Sequence, residues 1–185
     1  MRTIPGMTVM CPADDVEAAA MVRAAYAHVG PVYMRFARLA TPVFHDPDHY
    51  TFQIGKGEML REGKDVAIIA TGLMVYEALE AAKALEAAGI SARVINMATI
   101  KPLDEALVLQ AAKECGKIVT AEEHNIIGGL GEAVCACVAE HCPVPVKRIG
   151  VQDTFGHSGP AVDLLKQFGL CADNIASVTR TFVGK

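Results

Sequence analysis

Lysine and arginine nowhere gather beyond an adjacent pair in this sequence, and the 17 of them are outnumbered by 21 acidic residues, for a net charge of −4. No basic stripe is available to follow a phosphate backbone or to settle on an anionic bilayer, so neither nucleic acid nor membrane is expected as a partner. Long apolar runs are missing too. The hydrophobic stretches are broken by charge or proline well short of the roughly 20 residues that cross a bilayer. The amino terminus has no basic flank leading into an apolar run, so no signal peptide is read and the cytoplasm is the expected compartment. The six cysteines lack the CxxC spacing of zinc and redox sites. Cys135 and Cys137 are two apart in an expected helix, where their side chains point about 200° apart and cannot grip one ion. Small buried thiols in a reducing compartment are the expectation.

Signatures of chemistry are sparse as well. Ser158 stands beside His157 in GHSGP, but the GxSxG elbow of a hydrolase is missing. The six histidines are dispersed, and each taken alone reads as a surface or hydrogen-bonded residue rather than a catalytic one. Neither GxGxxG nor GK[ST] occurs.

What is present is a chain of 185 residues, 52% hydrophobic and 21% charged, enough for one good core and a fragment of a second. The first 38 residues scan as a strand at 7–11, a helix to Ala27 opened by Asp14 and Glu17, and a strand at 32–36. That is one βαβ unit, short of the roughly 50 residues a domain needs. The rest of its sheet is expected from a preceding segment or from another polypeptide. Residues 39–51, with Thr41, Pro42, His45, Asp46, Pro47, Asp48 and His49, have the turn chemistry of a linker.

Beyond the linker a regular alternation begins. Strands are expected at 55–60, 65–70, 92–97, 117–120 and 146–149. Helices are expected at 75–88, 103–114 and 130–140, with two short ones at 161–168 and 172–182. The polar segment 61–64 is read as a turn, Gly89 as a helix stop and Pro102 as a helix start. This is a doubly wound α/β domain over 52–185, preceded by the incomplete βαβ unit at 1–38.

Two places could carry function. GGLGEAV at 128–134 places glycines before a helix, as a phosphate cradle does, but its spacing fits no nucleotide signature. The preceding Glu122 and Glu123 would repel an anion, and EEHN is read as a polar turn whose consecutive residues do not converge on a metal. A structural or interface role is the better reading there. Arg35 and Arg38 follow the second strand, at the sheet edge where open α/β folds bind ligands, and guanidinium groups hold phosphate in a planar fork. An ordinary surface ion pair fits each of them equally well.

The runs IPGMTVMCPADDVEA, GPVYMRFAR, IGKGEMLREGKDVAIIATG, INMATIKPLDE, IVTAEEHNIIGGLGEAV and KRIGVQDTFGHSGPAVDLLKQFGL resemble the carboxyl-terminal part of transketolase, nearly end to end. Several are shared with deoxyxylulose phosphate synthase and with the beta subunits of 2-oxoacid dehydrogenases. EEHN with GGLGEAV, and GHSGP running into LLKQFGL, favour transketolase. The resemblance implies the end of a pyrimidine-binding domain at 1–38 and a transketolase carboxyl-terminal domain at 52–185. The latter would be a three-layer αβα fold on a mostly parallel five-stranded sheet, with its first strand antiparallel. It also implies thiamine diphosphate and magnesium in the complete enzyme. The GDG motif and the glutamate that activates the cofactor are not in this sequence, so this chain alone should bind neither and be inactive. The implied partners are an amino-terminal transketolase segment or subunit, in a homo-oligomer or heterotetramer, and sugar phosphates. By position in GPVYMRFAR, Arg38 matches the family arginine that grips the substrate's phosphate. A non-catalytic assembly module is the rival reading of another class.

Overall fold

The computed structural model describes residues 1–184. Lys185, the last residue of the expected second domain, lies outside them. Five strands form the larger sheet, β3 (Glu58–Arg61), β4 (Val66–Ala70), β5 (Ala92–Asn96), β7 (Ile118–Asn125) and β8 (Val146–Val151), in the order β3-β5-β4-β7-β8. All neighbours are parallel except β3, which runs antiparallel to β5.

The sequence VAIIA of β4 explains the layering. Successive side chains of a strand point to opposite faces. Val66, Ile68 and Ala70 therefore enter one core, with Met74, Ala78, Ala81 and Leu85 of α2 (Met74–Ala87) and Ile175 and Ala176 of α6 (Ala172–Val183). Ala67 and Ile69 enter the other, with Val108 and Ala112 of α3 (Glu105–Cys115) and Leu130, Val134 and Val138 of α4 (Leu130–His141). A strand apolar on every residue is what a sheet covered on both faces requires. The doubly wound α/β domain is the one read from the sequence, and the three-layer arrangement with an antiparallel first strand is the one the family resemblance implied. A short α5 (Ala161–Gln167) precedes α6.

The βαβ unit consists of β1 (Thr8–Met10), α1 (Asp15–Ala27) and β2 (Val32–Met34). Asp14 caps α1 by accepting from Glu17 N at 2.9 Å, and Glu17 Oε2 accepts from Ala13 N at 2.7 Å, a reciprocal arrangement of the capping-box kind. Its sheet gains a third strand that the sequence did not suggest: β6 (Thr99–Lys101) pairs antiparallel with β1. Residues 99–101 read locally as the approach to a helix at Pro102. The helix instead begins at Glu105 behind the Asp104 cap, and 99–101 are drawn into pairing by the open edge of β1. Met10, Met21 and Ala98 form the small core of this unit, with Phe52 and Ile54 packed against it.

Three further boundaries differ. β2 ends at Met34 rather than Phe36, and β3 includes Arg61, which was expected in a turn. The EEHN segment is not a turn but the end of β7.

Residues 39–51 have no regular structure, yet the segment is pinned. Asp14 Oδ2 accepts from Phe44 N at 3.1 Å and His45 N at 3.0 Å. The buried His45 ring sets Nδ1 2.9 Å from Asp14 Oδ2 and Nε2 2.9 Å from Glu58 Oε2. Burial opposes charge on this ring, but the hydrogen bonds to Glu58 and Asp14 outweigh it and lift its pKa to about 9. A raised pKa contributes stability that is complete below the unfolded value near 6.5 and is lost as pH rises through 9.

His45→Gln should therefore cost on the order of 2 kcal/mol at pH 6, discounted for the exposed Glu58, and almost nothing at pH 10. Urea titrations of both proteins across that range check this. The buried thiols also titrate at the alkaline end, so the comparison is with the variant and not with wild type alone. A gap between the two proteins that stays constant with pH would remove the cationic bridge.

Candidate functional site at the carboxyl ends of the strands

The two sheets meet where β1, β4 and β7 end. Glu122 and Glu123 are neighbours on an extended strand, so their carboxylates leave on opposite faces and do different work. Glu122, 1% exposed, turns toward α4, where its Oε2 accepts from Leu130 N and its Oε1 from Gly131 N, both at 2.8 Å. The glycine-rich helix start thus holds an anion, and that anion is the protein's own carboxylate. Burial raises the Glu122 pKa, and the two N–H groups pull the other way. A Cβ at Gly129 would stand 1.9 Å from Glu122 Oε2, so glycine at 129 makes room for this cap. The expected structural role of GGLGEAV is this closure.

Glu123 turns the other way and meets Arg35. Arg35 Nη2 donates to Glu123 O at 2.7 Å and to Glu123 Oε2 at 3.1 Å, while Nη1 lies 3.9 Å from the buried Cys11 Sγ. Its backbone N still donates to Met10 O at 2.9 Å, which fixes the chain just past β2. For Arg35 the ion-pair reading is therefore the one realised. Burial opposes its charge, and Cys11 and Glu123 restore it, so its pKa is raised.

Arg38 lies four residues beyond the end of β2, exposed. It lines a groove of about 290 Å³ with Glu123, His157, Leu164 and Phe168. Among the described residues its guanidinium has no hydrogen-bond or ion-pair partner. Between the sheets lies a smaller cavity of about 90 Å³ lined by Cys11, Arg35, Thr71, Glu122, Glu123 and Gly129, so the two arginines face different spaces.

Ser158 and His157 form no nucleophile–base pair. The His157 ring lies 3.4 Å from the Ser158 backbone oxygen and 5.6 Å from the Phe168 ring, within an exposed loop, and does not meet the Ser158 hydroxyl. That loop is anchored by Asn125 Nδ2 donating to Asp153 Oδ1 at 2.9 Å, with Asp153 at a φ of 52°. Cys11, Cys115 and Cys137 are buried, and burial raises the pKa of each thiol. Sequence reasoning missed the cap at Glu122 and the choice of Glu123 as the partner of Arg35. The signal for both was that paired glutamates on a strand, unlike in a turn, must serve opposite faces.

Residues 55–175 match the family model of the transketolase C-terminal domain, and residues 1–43 match that of the transketolase pyrimidine-binding domain. The chain belongs to the transketolase family. It is 49% identical over 175 residues to a 6-deoxy-6-sulfo-D-fructose transketolase subunit of Clostridium sp. strain MSTE9, covering 95% of this chain and 54% of that protein. It is 44% identical over 186 residues to 1-deoxy-D-xylulose-5-phosphate synthase 1 of Geobacter sulfurreducens, covering 99% of this chain and 29% of that enzyme. The solved structure titled "Split gene transketolase, inactive beta4 tetramer" superposes with a TM-score of 0.92 at 44% identity, over 98% of this chain and 58% of that one. The chain spans about half the length of the transketolase subunits it matches. Its residues correspond to the carboxyl-terminal part of split transketolases.

The transketolase family implies thiamine diphosphate in the full enzyme. The described residues of this chain do not fit that cofactor's diphosphate–magnesium end. The one glycine-rich helix start is filled by Glu122, and no group of three or more His, Cys, Asp and Glu converges among the described residues. No helix among them is long and apolar enough to cross a membrane.

Proposed function

We propose that this chain is the carboxyl-terminal portion of a thiamine diphosphate-dependent transketolase assembly that moves a two-carbon ketol unit between sugar phosphates. An amino-terminal segment or subunit supplies the diphosphate and magnesium site, and this chain alone is inactive. The observation that carries the reading is the unfinished sheet of the first unit. Among the described residues the outer edge of β2 is unpaired, Tyr33 is 38% exposed and Phe36 is 50% exposed, and on α1 Val22 and Tyr26 face solvent. Apolar strand and helix faces of this kind are completed by further sheet or by another subunit.

Within the assembly the cofactor would supply the carbanion sink, and this chain would supply position and charge. Arg38 is proposed to bind the phosphate of the sugar. Its place at the sheet edge, its free guanidinium and its groove support that role. Six free cysteines support a reducing, cytoplasmic setting.

A second reading, deoxyxylulose phosphate synthase, draws on the 44% identity to that enzyme from Geobacter sulfurreducens. Reconstitution separates the two. Mixed with an amino-terminal transketolase segment carrying both GDG and the cofactor-activating glutamate, with thiamine diphosphate and magnesium, the chain should catalyse ketol transfer between sugar phosphates, and each part alone should not. Formation of 1-deoxy-D-xylulose 5-phosphate from the mixture, with no ketol transfer, would establish the second reading instead.

A further inference from the structure

We propose that Arg35 is a positioning residue that occupies Glu123 and thereby keeps the Arg38 guanidinium free for an anion. This rests on the reading of Arg38 as a phosphate-binding residue and adds how that residue is kept available. Glu123 is the one carboxylate in the groove that Arg38 lines; the other titratable group there is His157. An unoccupied Glu123 would be a counter-ion for Arg38 within the same groove, and a paired Arg38 would lose both its charge and its donors to the protein itself. Arg35 prevents this. It holds Glu123 by the carboxylate and by the backbone oxygen, and it is itself fixed by Met10 O and by contact with Cys11.

The arrangement also accounts for two arginines three residues apart, one paired and the other without a partner among the described residues. One neutralises the wall of the groove and the other remains open to it. A structural ion pair alone would predict that Arg35 matters for folding and that Glu123 matters equally; the proposal predicts that removing Glu123 repairs the loss of Arg35.

The test uses the chain as it is, with p-hydroxyphenylglyoxal as the arginine reagent and inorganic phosphate as the anion, and with the rate at Arg38 read from its peptide by mass spectrometry. In wild type Arg38 should react fast, and tens of millimolar phosphate should slow it. In Arg35→Met the rate should fall about two- to fivefold as Glu123 captures Arg38, the scale of a partly exposed ion pair, and phosphate protection should disappear. Arg35→Met combined with Glu123→Gln should restore both rate and protection. Arg35→Lys, which keeps a cation on Glu123 and perturbs packing least, should leave Arg38 fast. An Arg38 in Arg35→Met that reacts and is protected as in wild type overturns the proposal, and so does a double variant that stays slow. If phosphate fails to slow Arg38 in wild type while the rates follow the pattern above, the lock stands and the phosphate reading of Arg38 falls.

Discussion

Arg38→Ala in the assembled enzyme is expected to lower kcat/KM for phosphorylated substrates about ten- to a hundredfold, because a charge-assisted, forked contact to phosphate is worth roughly 1.5 to 3 kcal/mol. Unphosphorylated ketols should be almost unaffected, since they make no use of that contact. Arg38→Lys should recover part of the loss, as an ammonium keeps the charge but not the planar fork. Steady-state kinetics with matched phosphorylated and unphosphorylated donors check this. Equal penalties on both classes would mean that Arg38 shapes the protein rather than binding substrate. The geometry gives the prediction its particular form: the side chain is exposed and free of internal partners, so its removal leaves no buried group unpaired and folding should be little changed.

Gly129→Ala should be the most damaging small substitution at the helix start. The added Cβ would fall 1.9 Å from Glu122 Oε2 and 2.6 Å from its Cδ, so the carboxylate must leave. The N–H groups of Leu130 and Gly131 would then be buried without an acceptor, and Glu122 would be a buried charge without donors. A loss of about 3 to 5 kcal/mol is expected from such a break. Gly128→Ala provides the contrast. Its φ of +76° strains an alanine, but its Cβ would meet nothing within 4 Å, so a cost near 1 kcal/mol is expected. Glu122→Ala should destabilise comparably to Gly129→Ala, and adding Gly129→Ala to it should cost little more, because both remove one interaction. Urea unfolding of the three single variants and the double variant measures this. Additive losses would show that Gly129 is required for some reason other than the cap.

The five-stranded domain was legible in the sequence because its strands are buried on both faces and its helices carry their own start and stop residues. VAIIA at β4, the Asp14 cap of α1 and Gly89 after α2 each state their structure locally. β6 was not legible: three residues, Thr99, Ile100 and Lys101, have no periodicity of their own, and only the distant edge of β1 makes them a strand. The polar EEHN reads as a turn by composition, and pairing with β8 makes it the end of a strand instead. In the structure each charge there is satisfied from another element, Glu122 by α4 and Glu123 by Arg35, and no local reading of composition contains that information. The same holds for His45, whose segment has the composition of a linker and is fixed by Asp14 and Glu58 on either side. Arg38 was placed by strand edge and by family resemblance together; the lock that leaves it free came only from the structure.

The most direct test is calorimetric titration of thiamine diphosphate, with magnesium, into the chain alone and into its mixture with an amino-terminal transketolase segment carrying both the GDG motif and the cofactor-activating glutamate. No saturable heat is expected with this chain, since its glycine-rich helix start is occupied by Glu122, and saturable binding accompanied by ketol-transfer activity is expected in the mixture. Saturable binding at micromolar cofactor to the chain alone, or a mixture that binds cofactor without this chain's presence altering activity, would contradict that expectation.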